Sequence, residues 1–464
     1  MGKTKKNYKS KKGGKVIASG GYGCVFDPAL KCEGSTKRDS NKISKLMNNK
    51  HATAEYEEIN KIKVKLDSIP NYQDYFLVND ATLCRPAKLT ATDLAAYGDK
   101  CTALPKDDIT KANINSRLDQ VMALNIPNGG LPVDDYLYND GTYQKIYNVH
   151  TKLVKLLKDG ILPMNKNNVY HSDIKDSNVL IDDFTSSDLK ARLIDWGLTV
   201  DYKPDSHATF PKSWRNRPLQ FNVPFSVVIF TDSFYKKYSE YLKEGGKTDK
   251  KSLYPFVLNY LNEWMKERGA GHYKFINEIM FKLYNDTLDS ISEDNRPGVI
   301  ETEITIPTIV EYICDVLVYY TKYKPDGSLN LREYLDEVFI KIVDVWGFIN
   351  VYYPILELLS NNYLKLKENE MKIFKQLQFI FNEYLYTPRH EPINMNDLYN
   401  DLKIFGNLIH IFIHGKRKTI SIKEATAHGI KTKKNRKMNS GSSIVFKRKP
   451  LIKRFKNPFF LSLK

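Results

Sequence analysis

Cysteine is scarce in this 464-residue chain. The five present, Cys24, Cys32, Cys84, Cys101 and Cys314, form no C-x-x-C pair and no metal-ligand spacing. An odd number so widely spread argues against a disulfide framework and for a reducing compartment such as the cytoplasm. Long apolar runs are missing too: the longest, Ile404 to Ile413, contains Asn407 and His410 and falls short of the roughly 18 residues a membrane crossing needs. The lysine-rich start has no apolar core behind it and does not read as a secretory leader. Lys6 likewise breaks the myristoylation pattern. Acidic residues are absent from 1–16, which hold seven lysines, and nearly absent from 416–464, where sixteen Lys or Arg stand beside one Glu. The formal charge of +17 therefore resides in the ends, and residues 17–415 carry −5. Both tails read as solvated and disordered, with nucleic acid or an acidic surface as conceivable contacts. The apolar end Phe455 to Leu461 is a docking candidate.

Chemistry is concentrated in two stretches. His171-Ser172-Asp173-Ile174-Lys175-Asp176-Ser177-Asn178 precedes the apolar Val179-Leu180-Ile181, and Ala191 to Ile194 leads into Asp195-Trp196-Gly197. Asp173 stands where a carboxylate can orient a hydroxyl and accept its proton, and Lys175 can reach a transferring phosphoryl group. Asn178 and Asp195 offer hard oxygen ligands suited to Mg2+. His171 reads as a packing residue under Trp196, since Asp173 fills the role of base.

Upstream, Val16 to Phe26 reads as two strands joined by a glycine-rich turn, Gly20-Gly21-Tyr22-Gly23. Glycines there let N–H groups approach phosphate oxygens, and Ile17 and Val25 would cover an adenine. A polar loop, Pro28 to Asn41, leads to a short strand, Lys42 to Leu46, which carries Lys45. The helix His51 to Leu66 should supply that lysine's carboxylate. At about 100° per residue Ile59, Ile62 and Leu66 cluster around Glu55, with Glu58 off that face and Glu57 pointing away. Residues 67–120 read as strands plus an insertion. Val121 to Leu124 reads as a buried strand, and Asn125 to Gly130 as a hinge. Pro127 has no N–H, so Asn128 becomes the expected adenine donor. Thr142 to Lys158 has the spacing of an amphipathic core helix.

The motifs ASGGYGCVF, KISKL, HSDIKDSNVL and LIDWG resemble the eukaryotic-type serine/threonine protein kinases. The words GILPMN, RLIDWGL and RPLQFNVPFS are similar to kinases encoded by giant, large cytoplasmic DNA viruses. The resemblance covers roughly residues 16–226 and resumes near 335. It implies an α+β, two-lobed fold: a small antiparallel β lobe with one helix, then a larger, mainly helical lobe. The expected divisions are a basic tail 1–15, an N-lobe 16–128, a first part of the C-lobe 129–226, a helical insertion 227–332, the rest of the C-lobe 333–415 and a basic tail 416–464. It also implies transfer of the ATP γ-phosphoryl group to Ser or Thr of protein substrates in a host cytoplasm, with packaging in a virion conceivable. In that reading Asp173 and Lys175 are catalytic and Asn178 and Asp195 hold Mg2+. Ile17, Ala18, Gly20, Gly21, Gly23, Val25, Lys45, Glu55 and Asn128 serve ATP. Asp344, in Val343-Asp344-Val345-Trp346-Gly347-Phe348, would brace the catalytic loop.

The chain departs from the family pattern at Ala18, which stands for the first glycine of G-x-G-x-x-G-x-V, at Trp196, which stands for Phe, and at Gly347, which stands for Ser. No A-P-E triplet closes the activation segment; Arg217-Pro218-Leu219 lies nearby. Two other readings are a catalytically dead scaffold acting through its basic tails and a small-molecule phosphotransferase. Intact Lys45, Asp173, Asn178 and Asp195 oppose the first, and Lys175 and Gly197 oppose the second. Finally, Ser172 replaces the Arg that reads a phosphorylated activation loop. A variant with Thr199, Ser206, Thr209 and Ser213 all changed to alanine should therefore keep its phosphate-transfer activity; a dead variant would contradict this.

Overall fold

Lys15 to Ser19 is a short edge strand whose one fully covered side chain is Val16, between exposed Lys15 and Ile17, and its pairing slips at a bulge between Val16 and Ala18 that leaves Ala18 exposed as well. The computed structural model of the chain describes residues 14–415 apart from 140, 184–187, 205–209, 289–290 and 322–330. It is α+β, with a small antiparallel sheet region and a larger helical part. Two units are distinguished, Met1–Ile413 and His414–Lys464, and of the second only His414 and Gly415 are described. The tail 416–464, with Phe455 to Leu461, and residues 1–13 of the other tail lie outside the described residues. Lys15, expected in that first tail, already belongs to a strand.

Five strands, β1 (Lys15–Ser19), β2 (Gly23–Asp27), β3 (Lys42–Asn48), β4 (Thr82–Cys84) and β5 (Val121–Pro127), form an antiparallel sheet in the order β1-β2-β3-β5-β4. Its register sets Val25 opposite Lys45 and Lys45 opposite Leu124, and directly opposed residues share a face. The neighbouring row, Cys24, Leu46 and Ala123, faces the other way and is fully buried with Val16, Phe26, Tyr97 and Leu104. Helix α1 (Asn49–Leu66) is capped by the Asn48 side chain, which accepts from the N–H of His51 at 3.0 Å, and it buries Ile59, Ile62 and Leu66.

Residues 67–120 differ from expectation. They contain one strand, β4, with short helical turns and α2 (Tyr97–Lys100) in place of further strands. Side chains satisfy the backbone that strands would have paired: Asp93 accepts from the N–H of Thr90, and Asn115 from that of Leu89, each at 2.8 Å. The cysteines differ too. Cys24 is bonded to Cys101 and Cys32 to Cys84, and only Cys314 is a free, buried thiol. The partners lie 77 and 52 residues apart, so neither count nor spacing could have paired them. The cysteine argument for a reducing compartment falls with that correction.

Strand β6 (Leu131–Pro132) joins β8 (Val179–Asp182) and β9 (Lys190–Leu193) in a second antiparallel sheet, and β7 (Val169–Tyr170) pairs with β10 (Val200–Asp201). Helix α3 (Val133–Tyr138) follows β6. The helix expected at Thr142 to Lys158 runs further: α4 (Tyr143–Lys155), a π-wound turn over Leu156–Ile161, then α5 (Leu162–Lys166). The wide turn holds Gly160, where a Cβ would lie 2.8 Å from that of Tyr75, and Pro163 sits in the first turn of α5, where no N–H is needed.

The remaining helices are α6 (Asp232–Lys243), α7 (Lys250–Arg268), α8 (Tyr273–Tyr284), α9 (Arg296–Ile300), α10 (Ile306–Tyr320), α11 (Arg332–Tyr334), α12 (Ile340–Asn350), α13 (Tyr353–Asn361), α14 (Glu368–Phe381) and α15 (Met395–His414). Among the described aromatic residues between 227 and 332, Phe230, Phe234, Tyr238, Tyr260, Trp264 and Tyr312 are buried in the core, in line with expectation, while Tyr319 is exposed. Tyr312 of α10 packs edge-on to Trp346 of α12 at 5.5 Å, and Trp264 of α7 is buried. The run Arg332–Asn361 is long and apolar enough to cross a membrane, yet 89% of its most apolar window is buried inside the protein.

Peptide mapping without reductant should recover the pairs Cys24–Cys101 and Cys32–Cys84. Changing Cys24 and Cys101 together to serine should cost about 2–4 kcal/mol in denaturant melts.

Candidate functional site

Strands β7 and β8 hold the two ends of the loop His171–Asn178, and β9 delivers Asp195 beside it. The ladder sets Val179 opposite Leu193, and the N–H of Ile194 donates to the carbonyl of Asn178 at 3.0 Å. Asn178 and Asp195 thus leave neighbouring strand ends together. Two residues here adopt left-handed backbone, Ser172 (φ 60°) and Asp195 (φ 66°), a conformation uncommon outside glycine that persists where the surroundings impose it.

Inside the loop Asp173 is the hub. Its Oδ1 accepts from Asn222 Nδ2 at 2.8 Å, and its Oδ2 accepts from Lys175 Nζ and Asn178 Nδ2, both at 2.9 Å. Burial pushes this carboxyl up. The Lys175 ammonium and the Asn222 amide pull harder, and the net result lies below the usual carboxylate range, so Asp173 is ionised at neutral pH. His171 is fully buried, which lowers its pKa. Its Nε2 lies 2.9 Å from the carbonyl of Ile194, and its Nδ1 accepts from the N–H of Asp173 at 3.3 Å, which together select the neutral ring protonated at Nε2. The ring lies 4.9 Å from that of Trp196, so His171 packs as expected.

Asp344 reaches this loop from α12. Its Oδ2 accepts from the N–H of His171 and its Oδ1 from that of Ser172, each at 2.8 Å. Asn165, in the amide orientation that suits its neighbours, donates to Oδ2 as well, also at 2.8 Å. Gly347 stands where α12 meets the loop, and a Cβ there would lie 2.7 Å from the carbonyl oxygen of Ile174. That contact gives a physical reason for glycine at this position.

On the small sheet Lys45 projects from β3. Its Nζ lies 2.8 Å from Glu55 Oε1, 2.7 Å from Oε2 and 3.8 Å from Asp195 Oδ1. Burial alone would lower the Lys45 pKa; Asp195 and Glu55 reverse that and raise it, so the side chain is an ammonium. Of the three glutamates on α1, Glu55 is the one that meets Lys45. The aromatic column Phe76, Trp196, His171 links the elements, with Phe76 and Trp196 5.7 Å apart.

The glycine-rich turn is closed by the N–H of Gly20 donating to the carbonyl of Gly23 at 2.8 Å. A Cβ on Gly21 would meet nothing within 4 Å, whereas one on Gly23 would strike Met47 and the carbonyl of Leu46. Gly21 therefore leaves room for a ligand, while Gly23 is required by packing against β3. Ile17 and Ala18 are exposed and Val25 is half-buried on the Lys45 face.

Asn128 is a correction. Its N–H donates to the carbonyl of Asn41 at 2.8 Å and is committed, so it does not serve as an adenine donor here. The glycines beside it answer to packing: at Gly130 (φ 98°) a Cβ would come within 2.0 Å of the Ile181 carbonyl oxygen.

Asn178 uses its nitrogen on Asp173, which leaves its amide oxygen for a cation, and the side chain of Asp195 is 44% exposed. Among the described residues no group of three His, Cys, Asp or Glu could hold a metal by itself. This donor set suits Mg2+ completed by phosphate oxygens and water. The sequence reading gave no role to Asn222 and Arg217, although both stand in the word RPLQFNVPFS; Arg217 Nη1 donates to the carbonyl of Ser172 at 2.8 Å. No family model matches the chain, and no curated protein matches its sequence.

Burial pushes the Asp344 carboxyl up to about 7, against the pull of the Ser172 and His171 N–H groups and Arg217. A carboxyl with a higher pKa folded than unfolded contributes stability that is full below its ordinary value of 3.8 and lost as pH rises through about 7. Urea melts should show this slope in the wild type and lack it in Asp344→Asn. Parallel profiles for the two proteins would contradict the assignment.

Proposed function

We propose that this chain is a protein kinase that transfers the ATP γ-phosphoryl group to Ser or Thr of protein substrates. The observation that carries the reading is the meeting of two sets of side chains. Lys45, paired with Glu55, comes within 3.8 Å of Asp195, and the Asp195 strand end is bonded to that of Asn178, which in turn touches Asp173. A five-stranded antiparallel sheet carrying one long helix, ahead of a larger helical part, also fits the two-lobed arrangement that the motifs imply.

In this mechanism Asp173 orients the acceptor hydroxyl and takes its proton as the oxygen bonds to the γ-phosphorus and the bond to the ADP oxygen breaks. Lys175, held 2.9 Å from Asp173, offers positive charge to the oxygens of the group in transit. Lys45 grips the α and β phosphates, and Glu55 keeps its ammonium aimed. Asn178 and Asp195 would hold Mg2+, which when bound offsets phosphate charge. Ile17 and Val25 would cover the base. Ser172, whose hydroxyl is engaged with Trp214 and the carbonyl of Tyr170, keeps the loop in its turned conformation.

The dead-scaffold reading finds no support in the geometry, because each of the four side chains it would be expected to lose is present and partnered. Purified protein incubated with labelled ATP, Mg2+ and acidic and basic protein substrates should transfer phosphate, and Asp173→Ala should lower the rate by roughly 10² to 10⁴. Equal labelling by the two proteins, or none by the wild type, sinks the proposal.

A further inference from the structure

The acceptor side of Asp173 is built from two stretches to which the sequence assigned no role. The first is Arg217-Pro218-Leu219-Gln220-Phe221-Asn222, whose last residue holds Asp173 Oδ1 at 2.8 Å. The second is the turn between α7 and α8, Gly269-Ala270-Gly271-His272, which is pressed against the first. Trp264, in the last turns of α7, donates through Nε1 to the carbonyl of Arg217 at 3.2 Å, and the N–H of His272 donates to the carbonyl of Leu219 at 2.9 Å. The His272 and Phe221 rings lie 5.3 Å apart. Gly271 has φ 55°, and a Cβ on it would fall 2.2 Å from the Leu219 carbonyl oxygen, so only glycine allows this approach.

The exposed charge of this surface is mainly basic. Between Asp205 and Asp232 the sequence has no acidic residue, and it has Lys212 and Arg215 besides Arg217, which is buried. From Trp264 to Lys274 there are Lys266, Arg268, His272 and Lys274 against the single Glu267. Arg268 is exposed and lies over the Trp264 ring at 5.4 Å, which places it on the helix face that meets Arg217; Lys274 is exposed two residues beyond His272. Residues 17–415 as a whole carry −5, so the basic surface is a local feature and not a reflection of average composition.

A second observation is independent of charge. Asn222 donates to Asp173 Oδ1 and Arg217 Nη1 donates to the carbonyl of Ser172, each at 2.8 Å, so this stretch is fixed against the loop that carries Asp173.

Resting on the kinase reading above, we infer that the acceptor is a Ser or Thr set among acidic residues, held on the basic shelf formed by Arg217–Asn222 and the Arg268–Lys274 turn. His272, Arg268 and Lys274 then act as specificity residues. They meet the acidic flanks while Asp173 addresses the hydroxyl.

The test uses the full chain, Mg2+, ATP and two synthetic serine peptides identical except that one is flanked by Glu and the other by Lys. The Glu peptide should be favoured in kcat/KM by roughly tenfold or more. Arg268→Glu combined with Lys274→Glu should raise its KM by roughly tenfold and lower that of the Lys peptide. Equal use of both peptides by the wild type, or a variant that shifts both alike, overturns the inference. If no acceptor is phosphorylated at all, the kinase reading fails. Anisotropy of the labelled Glu peptide then decides the shelf by itself: binding lost on charge reversal upholds it, and binding that is absent from the wild type or unchanged in the variant ends it.

Discussion

Two backbone N–H groups, those of His171 and Ser172, end on one carboxylate that no solvent reaches, and the position of Asp173 follows from that contact. The loop must turn through a left-handed residue at Ser172 and still leave no buried donor unpaired. Asp344 answers two donors at once, and Asn165 adds a third to the same carboxylate. Its own position depends on the apolar packing of α12, because Trp346 and Phe348 anchor the helix and Gly347 lets it approach Ile174. The loop His171–Asn178 is therefore a readout of the helical core. A cavity made beneath Trp346 would reach the site by the same route.

Where the family pattern puts Arg after the histidine, this chain has Ser172, and its surroundings explain how the change is accommodated. The Ser172 hydroxyl accepts from Trp214 Nε1 at 2.9 Å and donates to the carbonyl of Tyr170 at 3.3 Å. A cation is still present, but it comes from another place in the chain: Arg217 lies buried between Asp173 and Asp344, and burial lowers its pKa to about 10 while the two carboxylates oppose that shift. A guanidinium enclosed in this way stiffens the loop from within and offers little to an external phosphate. An arginine that read a phosphorylated segment would need an open approach.

How much of this was legible in the sequence depended on how far each signal had to travel. The Lys45–Glu55 pair was readable because a helix repeats every 3.6 residues, so Ile59, Ile62 and Leu66 announced which glutamate turned inward. Asp344 was readable only by resemblance, since 171 residues separate it from Asp173. Asn128 was misjudged because its N–H is taken by Asn41, a partner that no local pattern names. The disulfides failed for the same reason. Residues 67–120 failed for another: Asp93 and Asn113 close their own turns with side-chain oxygens and Asn115 takes the N–H of Leu89 from 26 residues away, and such bonds replace the strand pairing that would have made the segment readable. Arg217 and Asn222 stood in a quoted word, RPLQFNVPFS, that carried a likeness and no role, because their partners Ser172 and Asp173 lie more than forty residues away.

The two sides of the site are consequently determined in different ways. On the Lys45 side the parts come from regular elements, and register alone sets Val25, Lys45 and Leu124 on one face. On the acceptor side they come from a loop and a helix turn that depend on close backbone approach, with Gly271 against Leu219 and Trp264 against Arg217. A strand register tolerates substitution at most positions, because backbone bonds maintain it. A backbone approach through one glycine does not. On the proposed kinase reading, change in the turn before α8 would remodel which acceptor is taken and leave the Lys45 side on β3 as it is. The asymmetry follows from the bonding of the two halves.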